Sequence, residues 1–193
     1  MTTEQEDKPD TTPHEYHVMI DLETLGTGNS AAIISIGAVM FDVLNPELEF
    51  RRFYTRIPAS SSQALGGVID GDTVAWWMHP DRNDARTALL AEEPVDIVSA
   101  LYGFAEWFGP DSKPVWGNGA TFDNVILRSA FKNTGAHVPW EFWHDRCHRT
   151  IKSLAPDIKP DFTHCVQHHA LGDAIAQARQ LLHIATKLNL KLS

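Results

Sequence analysis

The sequence predicts an α/β domain in which helices pack on the faces of a β-sheet. Segments rich in β-branched and apolar residues come first, and segments with helical spacing of apolar residues follow, mixed with a short strand. The chain has 193 residues, of which 43% are hydrophobic and 21% charged. This composition is typical of a globular protein, and the length suffices for one domain with a sizeable core.

Three apolar segments near the start of the chain are expected to form strands. Residues 17–22 (HVMIDL) and 32–41 (AIISIGAVMF) are separated by the turn-forming stretch GTGNS, and residues 49–57 (EFRRFYTRI) alternate in character. Together they predict an antiparallel meander. Residues 114–117 (PVWG) predict a further short and buried strand.

Four later segments have the spacing of helices. Residues 73–90 contain no glycine and only Pro80 as a helix breaker, and residues 95–108 carry apolar side chains three and four positions apart. Residues 122–134 (FDNVILRSAFKNT) and 170–188 (ALGDAIAQARQLLHIATKL) show similar spacing. Each of these segments is therefore predicted to be helical.

The first residues differ from the rest of the chain in composition. Residues 1–15 are poor in hydrophobic residues, so their burial could not offset the entropy lost on ordering them. We expect a flexible polar tail over residues 1–15 and a single domain over residues 16–193. The start does not resemble a secretory signal, and no apolar stretch reaches the roughly 20 residues of a membrane span. These features indicate a cytoplasmic protein without a membrane partner, whose Cys147 and Cys165 are reduced thiols.

The charge of the chain limits the ways in which it could bind nucleic acid. A formal net charge of −9 argues against a protein that coats nucleic acid, since coating draws its affinity from many Lys and Arg contacts to phosphates. A nuclease that grips a few terminal nucleotides is compatible with this charge. Bound metal ions supply its positive charge, and their acidic ligands make the chain negative.

Asp21 and Glu23 are the first candidates for a metal site. They stand two positions apart at the end of a predicted strand, so both carboxylates point to the same face of the sheet. An isolated Asp-x-Glu pair is most often a solvated strand end. Here Ile20 and Leu22 indicate a buried strand, beside which carboxylates are costly unless a cation, a donor or solvent compensates them.

Asp123 is the second candidate, in the segment VWGNGATFD between a short strand and a helix. Its structural interpretation is that of a helix-start acid, favoured by capping and by the helix dipole. Gly117 and Gly119 in the same segment allow close approach to the backbone.

The third candidate segment, HHALGDA, opens the last predicted helix and contains His168, His169 and Asp173. If the whole segment were helical, His169 and Asp173 would share a face at positions i and i+4. His168 would then stand about 140° around the helix from Asp173. Helix geometry alone therefore favours His169.

The segments DLETLG, NGATFDNVIL and HHALGDA resemble, in this order, the three motifs of the DEDDh 3′-to-5′ exonucleases. The resemblance covers the chain from about Tyr16 onward. The three motifs together are specific, although each alone is weak. Within this superfamily, the pair Trp76 and Trp77 and the run ARTALL are most similar to phage and bacterial exonucleases related to exodeoxyribonuclease VIII and ribonuclease T.

The resemblance implies a ribonuclease H-like fold, in which an antiparallel meander and parallel strands form one mixed sheet flanked by helices. It implies that two Mg²⁺ or Mn²⁺ ions, which prefer hard oxygen ligands, are bound by Asp21, Glu23, Asp123 and Asp173. It also implies that His168 is the general base and lies on a loop ahead of the last helix. The unperturbed pKa of histidine, near 6.5, suits that role; His169 stays the alternative.

The expected function is hydrolysis of phosphodiester bonds at the 3′ ends of nucleic acids, with single-stranded DNA slightly favoured. The alternatives are a ribonuclease T-like 3′-to-5′ exoribonuclease and a non-catalytic module that binds nucleic-acid ends. Candidate substrate-binding residues flank the acids, and they are Thr24, Leu25, Asn118 and Phe122. Leu25 departs from the family pattern, because it separates Thr24 from Gly26. Ribonuclease T-like relatives also suggest a homodimer, although no segment marks an interface.

Two further patterns receive structural interpretations. Trp76 and Trp77 could stack on bases, but adjacent side chains on a helix point in different directions, so at least one is expected in the core. Several residues have the right chemistry for zinc but lack paired C-x₂-C spacing, and they are His144, Cys147, His148, His164 and Cys165.

Overall fold

Two long antiparallel strands, β1 (Tyr16–Thr24) and β2 (Ile33–Asp42), form the centre of the fold. The structure is a computed structural model, and it describes residues 12–192. Every residue of β2 is buried, as expected for a strand that is covered on both faces of a sheet.

Three shorter strands complete a mixed sheet of order β3-β2-β1-β4-β5. β3 (Arg51–Arg56) pairs with β2 in antiparallel orientation, which confirms the predicted meander. β4 (Val115–Gly117) lies parallel to β1, and β5 (Asp145–Cys147) lies parallel to β4. The predicted α/β fold with a mixed sheet is therefore confirmed.

Helices surround this sheet on both faces. Those in the described part of the chain are α1 (Ala59–Ala64), α2 (Gly71–Met78), α3 (Asn83–Ala91), α4 (Ile97–Phe108), α5 (Asp123–Thr134), α6 (His148–Lys152) and α7 (Ala170–Leu188). Single 3₁₀ turns occur at Pro80–Arg82 and Phe142–His144. No helix among residues 12–192 has both the length and the apolar character required to cross a membrane.

The prediction of one helix over residues 73–90 is wrong. The chain forms α2, a 3₁₀ turn and α3 instead. Pro80 causes the break, because it lacks an N–H and restricts the residue before it to an extended conformation. His79 accordingly has φ −61° and ψ 140°.

The pleat of β1 sends alternate side chains to two different cores. Val18 and Ile20 pack in the larger core with residues of α4 and α5, whereas Met19 packs against α7 on the opposite face. Asp21 and Glu23 continue the series of Met19. Both acids therefore lie on the face of the sheet that α7 covers.

Gly37 permits the start of α7 to lie directly on the sheet. It stands opposite Asp21 in the β1–β2 register. A Cβ atom at position 37 would lie 2.1 Å from the carbonyl carbon of Ala170, far inside van der Waals contact. The missing side chain thus sets how closely the third motif approaches the acids of β1.

The predicted tail is only partly within the described residues. Residues 1–11 lie outside them, and so does residue 193 of the predicted domain. The side chain of His14 contacts Asp42 at 2.5 Å, and the Glu15 N–H donates to the same carboxylate at 3.1 Å. Part of the segment assigned to the tail therefore contacts the end of β2.

We predict that Gly37→Ala destabilises the protein by about 2 kcal/mol, since an added methyl group must push α7 away from β2. Urea unfolding of the variant and the wild type measures this difference. Gly28→Ala is the matched control, because no atom lies within 4 Å of a Cβ at position 28. Equal loss of stability in both variants would contradict the close approach of α7.

Candidate active site

Three of the predicted acids meet at the end of β1. Asp21 and Glu23 come from the strand, and Asp173 comes from the first turn of α7. One carboxylate oxygen from each of the three lies within 4.8 Å of the other two. Residues distant in the sequence are thus brought together in a geometry that could hold a cation.

Asp123 joins this cluster from the opposite face of the sheet. It is the first residue of α5, and its Oδ1 accepts a hydrogen bond from the Leu22 N–H at 3.3 Å. Gly117 makes room for it, because a Cβ at that position would lie 3.0 Å from the Asp123 Cβ. Asp123 is therefore attached to β1 between Asp21 and Glu23, and it is only 3% exposed.

Burial raises the pKa values of all four acids, and neighbouring carboxylates add to the effect at Asp21 and Glu23. Desolvation raises the pKa of Glu23 to about 8, and the charges of Asp173 and Asp123 add to this effect. Desolvation and the neighbouring carboxylates likewise raise the pKa of Asp21 well above its ordinary value. Burial raises the pKa of Asp123 to about 7 and that of Asp173 to about 6. Four ionised carboxylates are therefore unfavourable here without positive charge.

The cluster has few hydrogen-bond donors of its own. Gln177, one turn after Asp173 on α7, donates through Nε2 to Asp21 Oδ1 at 2.8 Å. Glu23 Oε1 is buried without any hydrogen-bond partner among the described residues. A buried acceptor without a donor is costly, and a cation would satisfy it.

His168 lies on the loop just before α7, as the third motif implies. Its φ is 62°, a left-handed conformation that takes it off the helical path, and its N–H donates to Asp173 Oδ2 at 2.9 Å. The imidazole meets the ring of Trp76 edge to face, with centroids 5.1 Å apart. Burial and the charge of Arg82 lower the pKa of His168, so that the ring is neutral near pH 7.

His169 has a different environment. It is the N-cap of α7, where its Nδ1 accepts a hydrogen bond from the Gly172 N–H at 3.4 Å. Its ring stacks on Tyr54 with a centroid distance of 4.4 Å. His169 thus fixes the start of the helix, and it is His168 that lines the cavity containing the acids.

Two cavities adjoin the cluster and share Leu22, Glu23 and Phe122 as walls. The first, which we name the acid cleft, has a volume of about 370 Å³ and is lined by the four acids together with Asn118, His148, Arg149, Lys152, His168 and Gln177. The second, the Trp76 pocket, has a volume of about 500 Å³ and is lined by Glu23, Thr24, Thr27, Asp70, Thr73, Trp76 and Phe122. Both volumes fall within the range of ligand sites.

Three of the four predicted wall residues line these cavities. Thr24 lines the Trp76 pocket, Asn118 the acid cleft and Phe122 both. Leu25 instead packs against the apolar cluster around Ile34. Leu25, which departs from the family pattern, is therefore the one of these four residues that lines neither cavity.

The two tryptophans divide as expected for neighbours on a helix. Trp77 is buried, and its Nε1 donates to the Thr24 carbonyl at 2.9 Å. Trp76 is 40% exposed and faces its pocket, with the Arg82 guanidinium 4.3 Å from its ring. The expectation that one of the pair fills the core is confirmed.

The cations of the acid cleft were not predicted from the sequence. Arg149 and Lys152 belong to α6, whose five residues carry no periodic signal. The Arg149 Nη2 donates to the Asn118 carbonyl at 2.8 Å, and the Lys152 Nζ donates to Asn118 Oδ1 at 2.8 Å. Their position after β5 could have been found only by recognising that short strand beside β4.

The donor set fits a hard divalent cation better than zinc. Carboxylate oxygens suit Mg²⁺ and Mn²⁺, whereas structural zinc sites use Cys and His. Within residues 12–192, the acids of β1 and α7 are the group whose ligand atoms converge. The His and Cys residues between positions 144 and 165 form no comparable cluster in this part of the chain.

Comparisons with known proteins agree with this arrangement. The model of a family described as the 3′-5′ exoribonuclease Rv2179c-like domain matches residues 16–185. The exodeoxyribonuclease of Enterobacteria phage T4 is 25% identical, over 78% of this chain and 76% of the phage protein.

Solved exonuclease structures share the fold. E. coli exonuclease I in complex with a dT13 oligonucleotide superposes with a TM-score of 0.58 and 18% identity over 91% of this chain. The match spans only 42% of exonuclease I. The nuclease domain of 3′hExo, a DEDDh family member bound to rAMP, superposes with a TM-score of 0.59 and 13% identity. That match covers 90% of this chain and 93% of the 3′hExo domain.

We predict that the metal-free protein loses stability as the pH rises from about 7 to 8.5. The folded protein holds protons on Glu23 and its neighbours that the unfolded chain has already released, so deprotonation penalises the folded state. The histidines with lowered pKa values do not oppose this trend, because they are neutral in both states above pH 7. Thermal unfolding in a chelator measures the effect, at roughly 2 to 4 °C per kcal/mol.

Added Mn²⁺ should raise the melting temperature more at pH 8.5 than at pH 7. Glu23→Gln removes one of the repelling charges, and we expect it to flatten the pH dependence of the metal-free protein. A melting temperature that rises between pH 7 and 8.5 without metal would contradict the description of these four acids.

Proposed function

The chain belongs to the 3′-5′ exoribonuclease Rv2179c-like family, within the DEDDh exonucleases of ribonuclease H-like fold, and we propose that it removes nucleotides from the 3′ ends of single strands. The observation that carries this proposal is the convergence of four carboxylates with His168 at one end of the sheet. All five positions of the family's motifs are filled, which argues against a non-catalytic module that only binds ends.

The proposed metal ligands are the four acids. Asp21, Glu23 and Asp173 have oxygens close enough to share one cation, and Asp123 lies beside them. Two Mg²⁺ or Mn²⁺ ions, when bound, would neutralise the phosphate and lower the pKa of an attacking water. Gln177 holds the carboxylate of Asp21 in place through its hydrogen bond, which fixes the orientation of this ligand.

His168 is the proposed general base. Its ring is neutral near pH 7, so it can accept a proton from the attacking water. Trp76 limits the orientations of the imidazole by edge-to-face contact. The hydrogen bond from the His168 N–H to Asp173 holds the backbone of the base against one of the acids.

The Trp76 pocket is the proposed site of the terminal nucleoside. It adjoins Glu23, and its exposed indole ring offers a stacking surface worth roughly 1 to 3 kcal/mol per base. The 3′hExo domain, which has a similar fold, has a structure bound to rAMP, and this supports a nucleotide as the ligand. Thr24 and Phe122 complete the pocket on the side of the acids.

An assay that compares DNA and RNA substrates directly will show which of the two this protein cleaves faster. The family description names an exoribonuclease, whereas the phage relative is an exodeoxyribonuclease. Single-stranded DNA and RNA oligonucleotides of one sequence, each labelled at the 3′ or the 5′ end, are incubated with Mg²⁺ or Mn²⁺. Early release of label as mononucleotide from the 3′-labelled strand alone is the expected result. The cytoplasmic location and the homodimer stay predictions, the latter tested by mass measurement in solution.

We predict that Asp21→Asn slows mononucleotide release about a thousandfold, because loss of one charged ligand removes several kcal/mol of transition-state stabilisation. The protein should stay folded, since the change relieves repulsion among the acids. Asp84→Asn, at an exposed position of α3, is the control and should keep full activity. Tight binding of a single strand by the wild type without any release would instead favour the end-binding module.

We predict that His168→Ala lowers kcat by about 10²- to 10⁴-fold, the usual contribution of a general base. His169→Ala should keep most of the activity and lose about 1 kcal/mol of stability, because the N-cap of α7 is removed. Single-turnover rates and urea unfolding of both variants provide the measurement. Normal turnover in His168→Ala together with inactive His169→Ala would reverse the assignment.

A further inference from the structure

Two cations line the acid cleft without a carboxylate partner. Neither Arg149 nor Lys152 forms a salt bridge with any residue of the described chain. Both donate instead to oxygens of Asn118, at the end of β4. These contacts to one residue place two positive groups side by side, and burial together with the charge of Arg149 lowers the pKa of Lys152. An anion in the cleft would relieve this repulsion.

His148 provides a second and independent indication of a ligand. It lines the same cleft and is 0% exposed, yet neither ring nitrogen has a hydrogen-bond partner among the described residues. Burial and the charge of Lys152 lower the pKa of His148 to about 4, so the ring is neutral. A buried neutral imidazole without partners is costly, and a phosphate oxygen or a water held by one could satisfy it.

Given the proposed function, the path of the substrate identifies the anion in the acid cleft as a backbone phosphate of the bound strand. A terminal nucleoside in the Trp76 pocket places the scissile phosphate at the acids, beside Glu23. The strand on the 5′ side must then leave through the other cavity that shares this wall, which is the acid cleft. Arg149 and Lys152 line the same cavity as the four acids, so cations and acids face one space.

We propose that the acid cleft binds the nucleotide next to the terminal one, with Lys152 and Arg149 as ligands of the phosphate on its 5′ side. That phosphate is the second internucleotide linkage from the 3′ end. Arg and Lys are the usual phosphate ligands, and contacts to phosphates position a strand without reading its sequence. The site would hold the strand in register while the terminal linkage is cleaved.

The experiment removes one negative charge from the substrate at a time. Single-stranded 12-mers, in the sugar type that the wild type cleaves faster, carry a neutral methylphosphonate at the second or at the sixth linkage from the 3′ end. The kcat/KM for release of the first nucleotide is measured in Mg²⁺ with the wild type, Lys152→Met, Lys152→Arg and Lys132→Met. Lys132 is exposed near the end of α5 and serves as the matched control.

We expect the neutral second linkage to slow the wild type roughly tenfold, the effect of losing one hydrogen bond to a charged group. A neutral sixth linkage should leave the kcat/KM of the wild type unchanged. Lys152→Met should lose about tenfold on the unmodified strand and less than tenfold further from the neutral second linkage, because only Arg149 then contacts that phosphate, whereas Lys152→Arg should retain the roughly tenfold effect of the neutral linkage. The proposal would be overturned if the wild type cleaved both modified strands at the same rate. It would also be overturned if the neutral second linkage slowed Lys152→Met by the same tenfold as the wild type.

A binding measurement tests the same site without catalysis. Fluorescence anisotropy of the unmodified strand in a chelator gives the salt dependence of affinity, whose slope changes by about 0.7 for each phosphate contact on a single strand. The slope should fall by about 0.7 in Lys152→Met and in Arg149→Gln, and unchanged slopes in both would refute the site. Absence of nucleotide release by the wild type would instead refute the proposed function.

Discussion

Desolvation of four neighbouring carboxylates, to which charge repulsion adds at Asp21 and Glu23, is the constraint on which the rest of this structure depends. β1 directs Asp21 and Glu23 to one face, and α7 brings Asp173 onto that face because Gly37 lets the helix start lie on β2. Asp123 is attached from the other side by the Leu22 N–H. The fold therefore positions these acids but offers them few hydrogen-bond donors. Positive charge must then come from a ligand. We expect a site with this property to be unstable alone and to be stabilised by bound cations.

The distribution of charge around the acids explains how a chain of net charge −9 could act on a polyanion. Positive side chains are few, but several are placed at the cavities. Arg82 lies over Trp76 beside one cavity, while Arg149 and Lys152 line the other. The general charge of the surface thus says little about affinity for a strand end, because the relevant charges are those within a few ångströms of the bound phosphates.

The sequence was most informative where the structure repeats a regular period. Alternation along β1 predicted that Asp21 and Glu23 share a face, and helical spacing predicted α7 over its full length. The left-handed backbone of His168 follows no regular period, so helix geometry favoured His169 and only the motif resemblance indicated His168.

Short elements could not be predicted, because they contain too few residues to show a period. β5 and α6 have three and five residues, too few to show any pattern, and Lys152 was therefore not connected with the acids. Residues 73–90 have no other helix breaker and so predicted one helix, but Pro80 alone divides them into two.

Crystals of the full chain grown with Mn²⁺ and measured at the manganese absorption edge test the central claim most directly. We expect two anomalous peaks roughly 4 Å apart, with Asp21 bonded to at least one and the other three acids completing the ligand set. A peak bound elsewhere on the chain, or density for unliganded acids in crystals soaked to saturation with Mn²⁺, would contradict it.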